Sequence, residues 1–269
     1  MDFVTCNLVG PGNFFNYHNY GLGNQLFQIS TALSYSIENN LTPIFPNLKH
    51  PKFGNYNINI FKNLNFSEYK DEDVKFEYFE PSFRYTKIPK AKNIRLNGYY
   101  QSEKYFKNNR EYILEMFYPS KTQISDLKQE FNSIFDNAAV CHIRLGDYLV
   151  LEDYHNNLSK SKYYNKAFQM IESNKIIVFS DEIDVAQKIK FDTEKDLQFF
   201  TTGIDYLDMF CMTQFEEVII SNSTFSWWAA WLNNNTNKKI LFPNQWFGPS
   251  KKFDTNDLIP NTWKKIKVE

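Results

Sequence analysis

From residue 138 onward, short apolar runs alternate with amphipathic stretches, and few folds accommodate that order. The runs at 138–143 (AAVCHI), 176–179 (IIVF), 197–200, 218–221 and 240–242 have strand lengths. Between them, residues 162–172, 180–190, 204–211 and 224–233 carry apolar side chains at helical spacing. Runs that stay apolar without alternating predict strands covered on both faces, and intervening helices predict crossovers within one parallel sheet. The second part of the chain therefore reads as an open α/β sheet, beginning near residue 136.

The first part is less regular. A strand is expected over 3–9, then the Gly/Asn-rich segment 10–24 (GPGNFFNYHNYGLGN), then a helix from 25 to about 39 with Leu26, Ile29, Leu33 and Ile37 on one face. Residues 44–100 are aromatic and polar, with a short strand around 94–99, and 104–117 and 120–135 read as helices. A length of 269 residues allows one large domain or two ordinary ones. The net charge of −1 supplies no field that would steer the molecule onto nucleic acid. Aromatic residues make up 18% of the chain, enough to fill a Phe-rich core and leave some rings to line a groove for a flat or sugar-like ligand. Cys6, Cys141 and Cys211 are widely spaced and odd in number, which argues against a disulfide framework or a zinc site. The N-terminus lacks a basic leader and no run approaches the ~20 apolar residues of a membrane span, so a cytoplasmic protein without an anchor is expected. Asp71-Glu72-Asp73 follows a polar stretch rather than a buried strand and reads as a solvated charge run; no metal is assigned to it.

Three polar turns fall where the sheet's carboxyl edge should lie: HIRLGD (142–147), SDE (180–182) and SNSTFSWW (221–228). Strand alternation puts Cys141, Ile143 and Leu145 on one face and His142 and Arg144 on the other. A guanidinium at the end of a core strand needs a carboxylate or an anionic ligand. At the last turn, Asn222, Ser223, Thr224 and Ser226 open a helix whose N–H groups and hydroxyls suit an anion, although Ser223 or Thr224 would serve equally as a plain cap. Phe225, Trp228 and Trp231 or Leu232 recur at helical spacing and are expected to pack on the sheet. Ser180 or Asp181 is expected either to cap the next helix or to face a ribose or base. Gly21 and Gly23, ahead of the first helix, suit close backbone approach to a ligand.

In combination these segments resemble glycosyltransferase family 11, the α-1,2-fucosyltransferases. The resemblance is carried by YGLGNQLFQ (20–28), GYYQSEKYF (98–106), HIRLGDY (142–148), YYNKAFQMI (163–171), FSDEID (179–184), SNSTFSWWAAWLN (221–233) and LFPNQWF (241–247). Two departures stand out. Leu145 occupies the position where the family carries a second arginine, and residues 10–20 form an insertion expected to make an extra lip. Animal members also carry a membrane anchor.

The resemblance implies a GT-B-like α/β fold of two Rossmann-type halves with the donor site in the cleft, residues 1–135 on the acceptor side and 136–269 binding GDP-fucose. It implies inverting, metal-independent transfer of L-fucose, commonly to O2 of a terminal galactose, with a glycan or galactoside acceptor as partner and no cofactor. Arg144, Asp147 and His142 are the implied catalytic residues, Asp147 either orienting Arg144 or contacting the nucleotide. Gly23, Asn24, His142, Arg144, Asp181, Asn222, Ser223, Thr224 and Phe225 are implied to bind the donor, and Tyr100, Gln101 and His155 to lie on the acceptor side. Asp147 and His155 both remain candidates for the base. Two alternatives stay open: a GDP-sugar-binding protein of the same fold without catalysis, motivated by Leu145, and a GDP-sugar transferase of different linkage or donor.

Overall fold

The computed structural model describes residues 1–8, 21–46 and 56–269; the end of the expected first strand and the insertion at 10–20 lie outside them. The chain forms two compact units, Met1–Tyr118 with Asp254–Pro260, and Pro119–Phe253 with Asn261–Glu269. The division falls ahead of the expected boundary near 136, because the helices before the first strand of the second sheet belong to the second unit.

The first unit contains, among its described residues, the strands β1 (Phe3–Cys6), β2 (Thr42–Pro43), β3 (Phe76–Phe79) and β4 (Ile94–Asn97). They form a parallel sheet in the order β2-β1-β4-β3. The helix after β1, α1 (Leu22–Asn39), begins at Leu22 rather than 25, so Gly23 and Asn24 lie inside its first turn. The expected helix over 104–117 is shorter, α2 (Arg110–Phe117). Ahead of it the chain makes tight turns, one started by Ser102, whose hydroxyl accepts from the Lys104 amide. The Asp71–Asp73 run is an exposed turn in which Asp71 pairs with Arg95. Residues 254–260 return to this unit because Asp257 is anchored there. Its carboxylate accepts from Lys104 Nζ at 2.5 Å and the Tyr85 amide at 3.1 Å, and its carbonyl accepts from the Ser102 hydroxyl at 2.6 Å.

The second unit opens with α3 (Lys121–Glu130), started by a reciprocal cap between Ser120 and Gln123, and the single turn α4 (Asn132–Phe135). There follow β5 (Ala138–Ile143), α5 (Tyr163–Met170), β6 (Lys175–Ser180), α6 (Ile183–Ala186), β7 (Asp196–Phe199), α7 (Asp205–Met212), β8 (Glu217–Ile219), α8 (Thr224–Leu232), β9 (Lys239–Pro243) and β10 (Lys264–Ile266). The six strands are all parallel, in the order β10-β9-β8-β5-β6-β7. The α/β class expected from the apolar alternation is the class observed.

Strand β5 is central and buried from its second residue on. Ala139, Cys141, Ile143 and Leu145 point together into a core shared with Tyr164, Phe168 and Val178, as the alternation requires. On the other flank α8 is apolar all round, with Trp227, Trp228 and Trp231 buried, which marks a helix enclosed on every side. Trp227 packs on Trp228 and on Trp263 at 5.2 and 5.5 Å between ring centroids. That packing seats the N-terminus of α8 beyond the end of β8. Reading outward from β5, strands are added toward β7 on one side and toward β10 on the other, so the direction reverses between β5 and β8. Sheets of this type bind ligands beyond the carboxyl ends of the strands flanking that reversal.

Candidate active site

The polar groups at that switch point come from the turns after β5, β6 and β8. Arg144 leaves the end of β5 and is gripped from two sides: Nη2 donates to Asp147 Oδ1 at 2.6 Å, and Nη1 lies 3.0 Å from Asp181 Oδ2. Its Cζ stands 5.5 Å from the centre of the Tyr148 ring. Burial opposes the charge on the guanidinium, but Asp181 and Asp147 outweigh it and hold the pKa above the ordinary arginine value. Of the two kinds of partner that the strand-end argument allowed, the protein itself supplies carboxylates.

Asp181 does not cap a helix. Its Oδ1 accepts from the Leu145 amide at 2.8 Å while Oδ2 faces Arg144, so both oxygens are engaged in bracing the β5 turn. The expected helix over 180–190 is the single turn α6, with Glu182 rather than Asp181 at its N-cap position. Leu145 itself is fully buried in the core, which gives a side chain at this position no path to the polar face.

Gly146 makes the arrangement possible. Its φ is +23°, and a β-carbon there would collide with Asp181 Oδ2. Gly146→Ala is therefore expected to push Asp181 away from Arg144 and to cost about 1–3 kcal/mol of stability. The five tryptophans, Trp227, Trp228, Trp231, Trp246 and Trp263, all lie in the second unit. Urea unfolding followed by tryptophan fluorescence thus reads that unit directly; an unchanged midpoint would contradict the steric argument.

His142 is buried, and burial, helped by the Arg144 charge, pushes its pKa down to about 3, so it is neutral at pH 7. Its Nδ1 and Ser221 Oγ lie 2.8 Å apart, and Ser221 Oγ lies 3.3 Å from Ser226 Oγ. Ser226 Oγ donates to the Ser223 carbonyl at 3.2 Å. This relay ties the end of β5 to the first turn of α8. Ser223 is the N-cap, accepting from the Phe225 amide at 3.3 Å, with half-buried Thr224 as the first helical residue. The Phe225 ring stands 5.3 Å from that of His142.

Asn222 is a brace: Nδ2 donates to the Asn156 and Trp246 carbonyls at 2.9 and 2.8 Å, and its own carbonyl accepts from Tyr148 Oη at 2.8 Å. With both side-chain N–H groups so used, its amide does not offer them to a donor substrate.

The expected acceptor-side residues separate. His155 belongs to the second unit and joins the Arg144 group, with Nε2 3.6 Å from Asp147 Oδ2. In the first unit, Gln101 Nε2 donates to Asn24 Oδ1 at 2.9 Å, bringing together two residues expected from distant motifs. Tyr100 is corrected: its ring is fully buried, packs edge-on to Tyr105 at 5.2 Å, and donates its hydroxyl to the Tyr78 carbonyl at 3.4 Å. It is a core residue whose positive φ of 53° turns the chain after β4.

Gly146, Tyr148 and Ser221 are contributors that sequence reasoning did not single out. Only Gly146 carried a local signal, as a glycine directly behind a buried arginine turn.

The family model for glycosyl transferase family 11 matches residues 11–267. Among curated relatives, an alpha-1,2-colitosyltransferase of Escherichia coli is 30% identical over 65% of this chain and 63% of its own length. The chain therefore spans less than two thirds of that relative. A putative galactoside 2-alpha-L-fucosyltransferase, svh-11 of Caenorhabditis elegans, is 24% identical over 91% of this chain and 76% of its own length. Among solved structures, POFUT1 in complex with GDP-fucose superposes with a TM-score of 0.51 at 12% identity, covering 89% of this chain and 97% of that one, a likeness of fold. The family match takes in the whole second sheet, the first sheet apart from β1, and every turn that builds the Arg144 group, and the chain belongs to glycosyl transferase family 11.

Proposed function

We propose that the protein transfers L-fucose from GDP-fucose to a sugar hydroxyl, most specifically O2 of a terminal galactose, with inversion at the anomeric carbon and without a metal. The observation that carries this reading is Arg144, held by Asp147 and Asp181 at the switch point beside the N-terminus of α8. Breaking the sugar–phosphate bond leaves negative charge on the departing diphosphate and an oxocarbenium-like sugar. A metal-free enzyme must meet that charge with donors already in place. Arg144 has N–H groups beyond the two that its carboxylates take, and α8 adds the partial positive charge of a helix start with the hydroxyls of Ser223 and Thr224. Neutral His142 ties the two groups together without adding a competing anion. In this reading the second unit has the GDP-fucose-binding role and the first the acceptor-side role.

The α-1,2 linkage is supported by the names of the two curated relatives, and the colitosyl name favours testing a second donor. The decisive experiment measures GDP release from GDP-fucose in EDTA, with and without a panel of β-galactosides, beside a colitosyl donor. Acceptor-dependent release from GDP-fucose, undiminished by EDTA, is the expected result. Preference for the colitosyl donor would redirect the donor assignment. GDP binding without turnover on any donor and acceptor would favour a binding protein, and absence of GDP binding would overturn the reading.

A further inference from the structure

We propose that His155 is the catalytic base that removes the proton from the acceptor hydroxyl, with Asp147 as the residue that positions it. The inference rests on the glycosyl-transfer reading above and assigns the proton, which that reading leaves without a destination. Asp147 uses its two oxygens differently: Oδ1 accepts from Arg144, and Oδ2 faces His155 Nε2 at 3.6 Å. One carboxylate thus links the guanidinium assigned to the donor with an imidazole.

The imidazole is held between two tyrosine rings. It stacks on Tyr148 at 4.0 Å with an interplanar angle of 8°, and Tyr154 lies 4.6 Å away. Its backbone amide donates to the Leu151 carbonyl at 2.8 Å, and the residue bridges to Phe247. Tyr148 is itself anchored through its hydroxyl to the Asn222 carbonyl. With Nε2 turned to a carboxylate, a proton on that nitrogen is favoured over one on Nδ1, which then carries the free lone pair. No described side chain donates to Nδ1. The side chain keeps 18% of its surface exposed, so a substrate can reach it. Asp147 is the poorer candidate because both its oxygens already face partners.

The charged and titratable groups facing His155 are Asp147, Arg144, Tyr148 and Tyr154. Burial lowers its pKa, Asp147 raises it and Arg144 lowers it, leaving it below the ordinary histidine value and the ring neutral at pH 7. In the step itself the acceptor O–H proton passes to Nδ1 and the acceptor oxygen bonds to C1 of the fucose. The bond from C1 to the phosphate oxygen breaks, and its electron pair leaves with GDP. The imidazolium formed faces Asp147 and returns its proton to solvent.

The test is the pH profile of kcat for wild type and His155→Gln, with GDP affinity measured by calorimetry on each. His155→Gln is expected to lose about 10²-fold or more in kcat at unchanged GDP affinity, and with it the acidic limb that wild type shows on the acid side of the ordinary histidine value. Imidazole is expected to restore part of the activity of His155→Ala. Asp147→Asn keeps the histidine but removes the charge that raises its pKa, so the limb should move to lower pH; this arm decides the matter should the His155 variants fail to bind GDP. An active wild type beside an unimpaired His155→Gln, or a limb unmoved by Asp147→Asn, overturns the base alone. A wild type inactive with every acceptor overturns the transfer reading and the base with it.

Discussion

Arg144→Lys is expected to lower kcat/KM for glycosyl transfer by about 10²–10³-fold, the range seen when one preorganised donor to a developing negative charge is removed. The charge survives the substitution; the geometry does not. Arg144 reaches Asp147 and Asp181 from separate nitrogens of one rigid plane, 2.6 and 3.0 Å away, and still has N–H groups for a ligand. A lysine ammonium is a single point and cannot hold both carboxylates while facing a third anion. The Arg144 side chain is about one third exposed, so the loss of folding stability should be well below the 3–5 kcal/mol that follows removal of a partner from a fully buried ion pair. Steady-state GDP release and calorimetric GDP affinity, measured beside the urea midpoint, separate the two effects. A lysine variant within threefold of wild type in kcat/KM would remove Arg144 from the mechanism.

The second large effect is on stability against pH. The folded-state pKa of His142 is about 3, against an ordinary value of about 6.5 in the unfolded chain. The unfolded state therefore binds the extra proton between those values, and stability rises with pH across the window. The contribution is fully present above about pH 6.5 and is lost progressively as pH falls toward 3. Between pH 7 and pH 5 the cost is about 2 kcal/mol. Urea unfolding read by tryptophan fluorescence should show the loss in wild type, with a flatter dependence in His142→Gln, whose neutral amide can still meet Ser221. Equal slopes in the two proteins would mean that His142 does not carry the effect.

Much of the second unit is legible in its amino-acid order. The run AAVCHI, apolar without alternating, could only be a strand covered on both faces, and the period-2 rule then assigns Cys141, Ile143 and Leu145 to the core and His142 and Arg144 to the other side. The apolar block at 224–233 likewise implies an enclosed helix starting in a polar turn, which is α8 with Ser223 as its cap. Local rules succeed there because buried parallel strands and their helices satisfy their own backbone and leave only side-chain direction to be read. The first unit is less legible. Its strands are short, its helix starts earlier than glycine placement suggests, and segment 254–260 joins it through side chains distant in sequence.

By itself, the sequence determined the α/β class, the family motifs, and the set of polar residues that the carboxyl edge of the second sheet would bring near one another. Only the tertiary structure decided what those residues do there. A capping role and a bracing role for Asp181 look alike along the chain. The choice depended on whether the Leu145 amide and Arg144 lay within hydrogen-bonding distance, and they do. Tyr100, expected on the acceptor side, was drawn into the core because its ring could pack on Tyr105 and its hydroxyl find the Tyr78 carbonyl. His155, expected on the acceptor side, proved to be a partner of Asp147, held by stacking on Tyr148. Which polar group meets which partner depends on distances across the fold, and a linear pattern of residues carries no record of those distances.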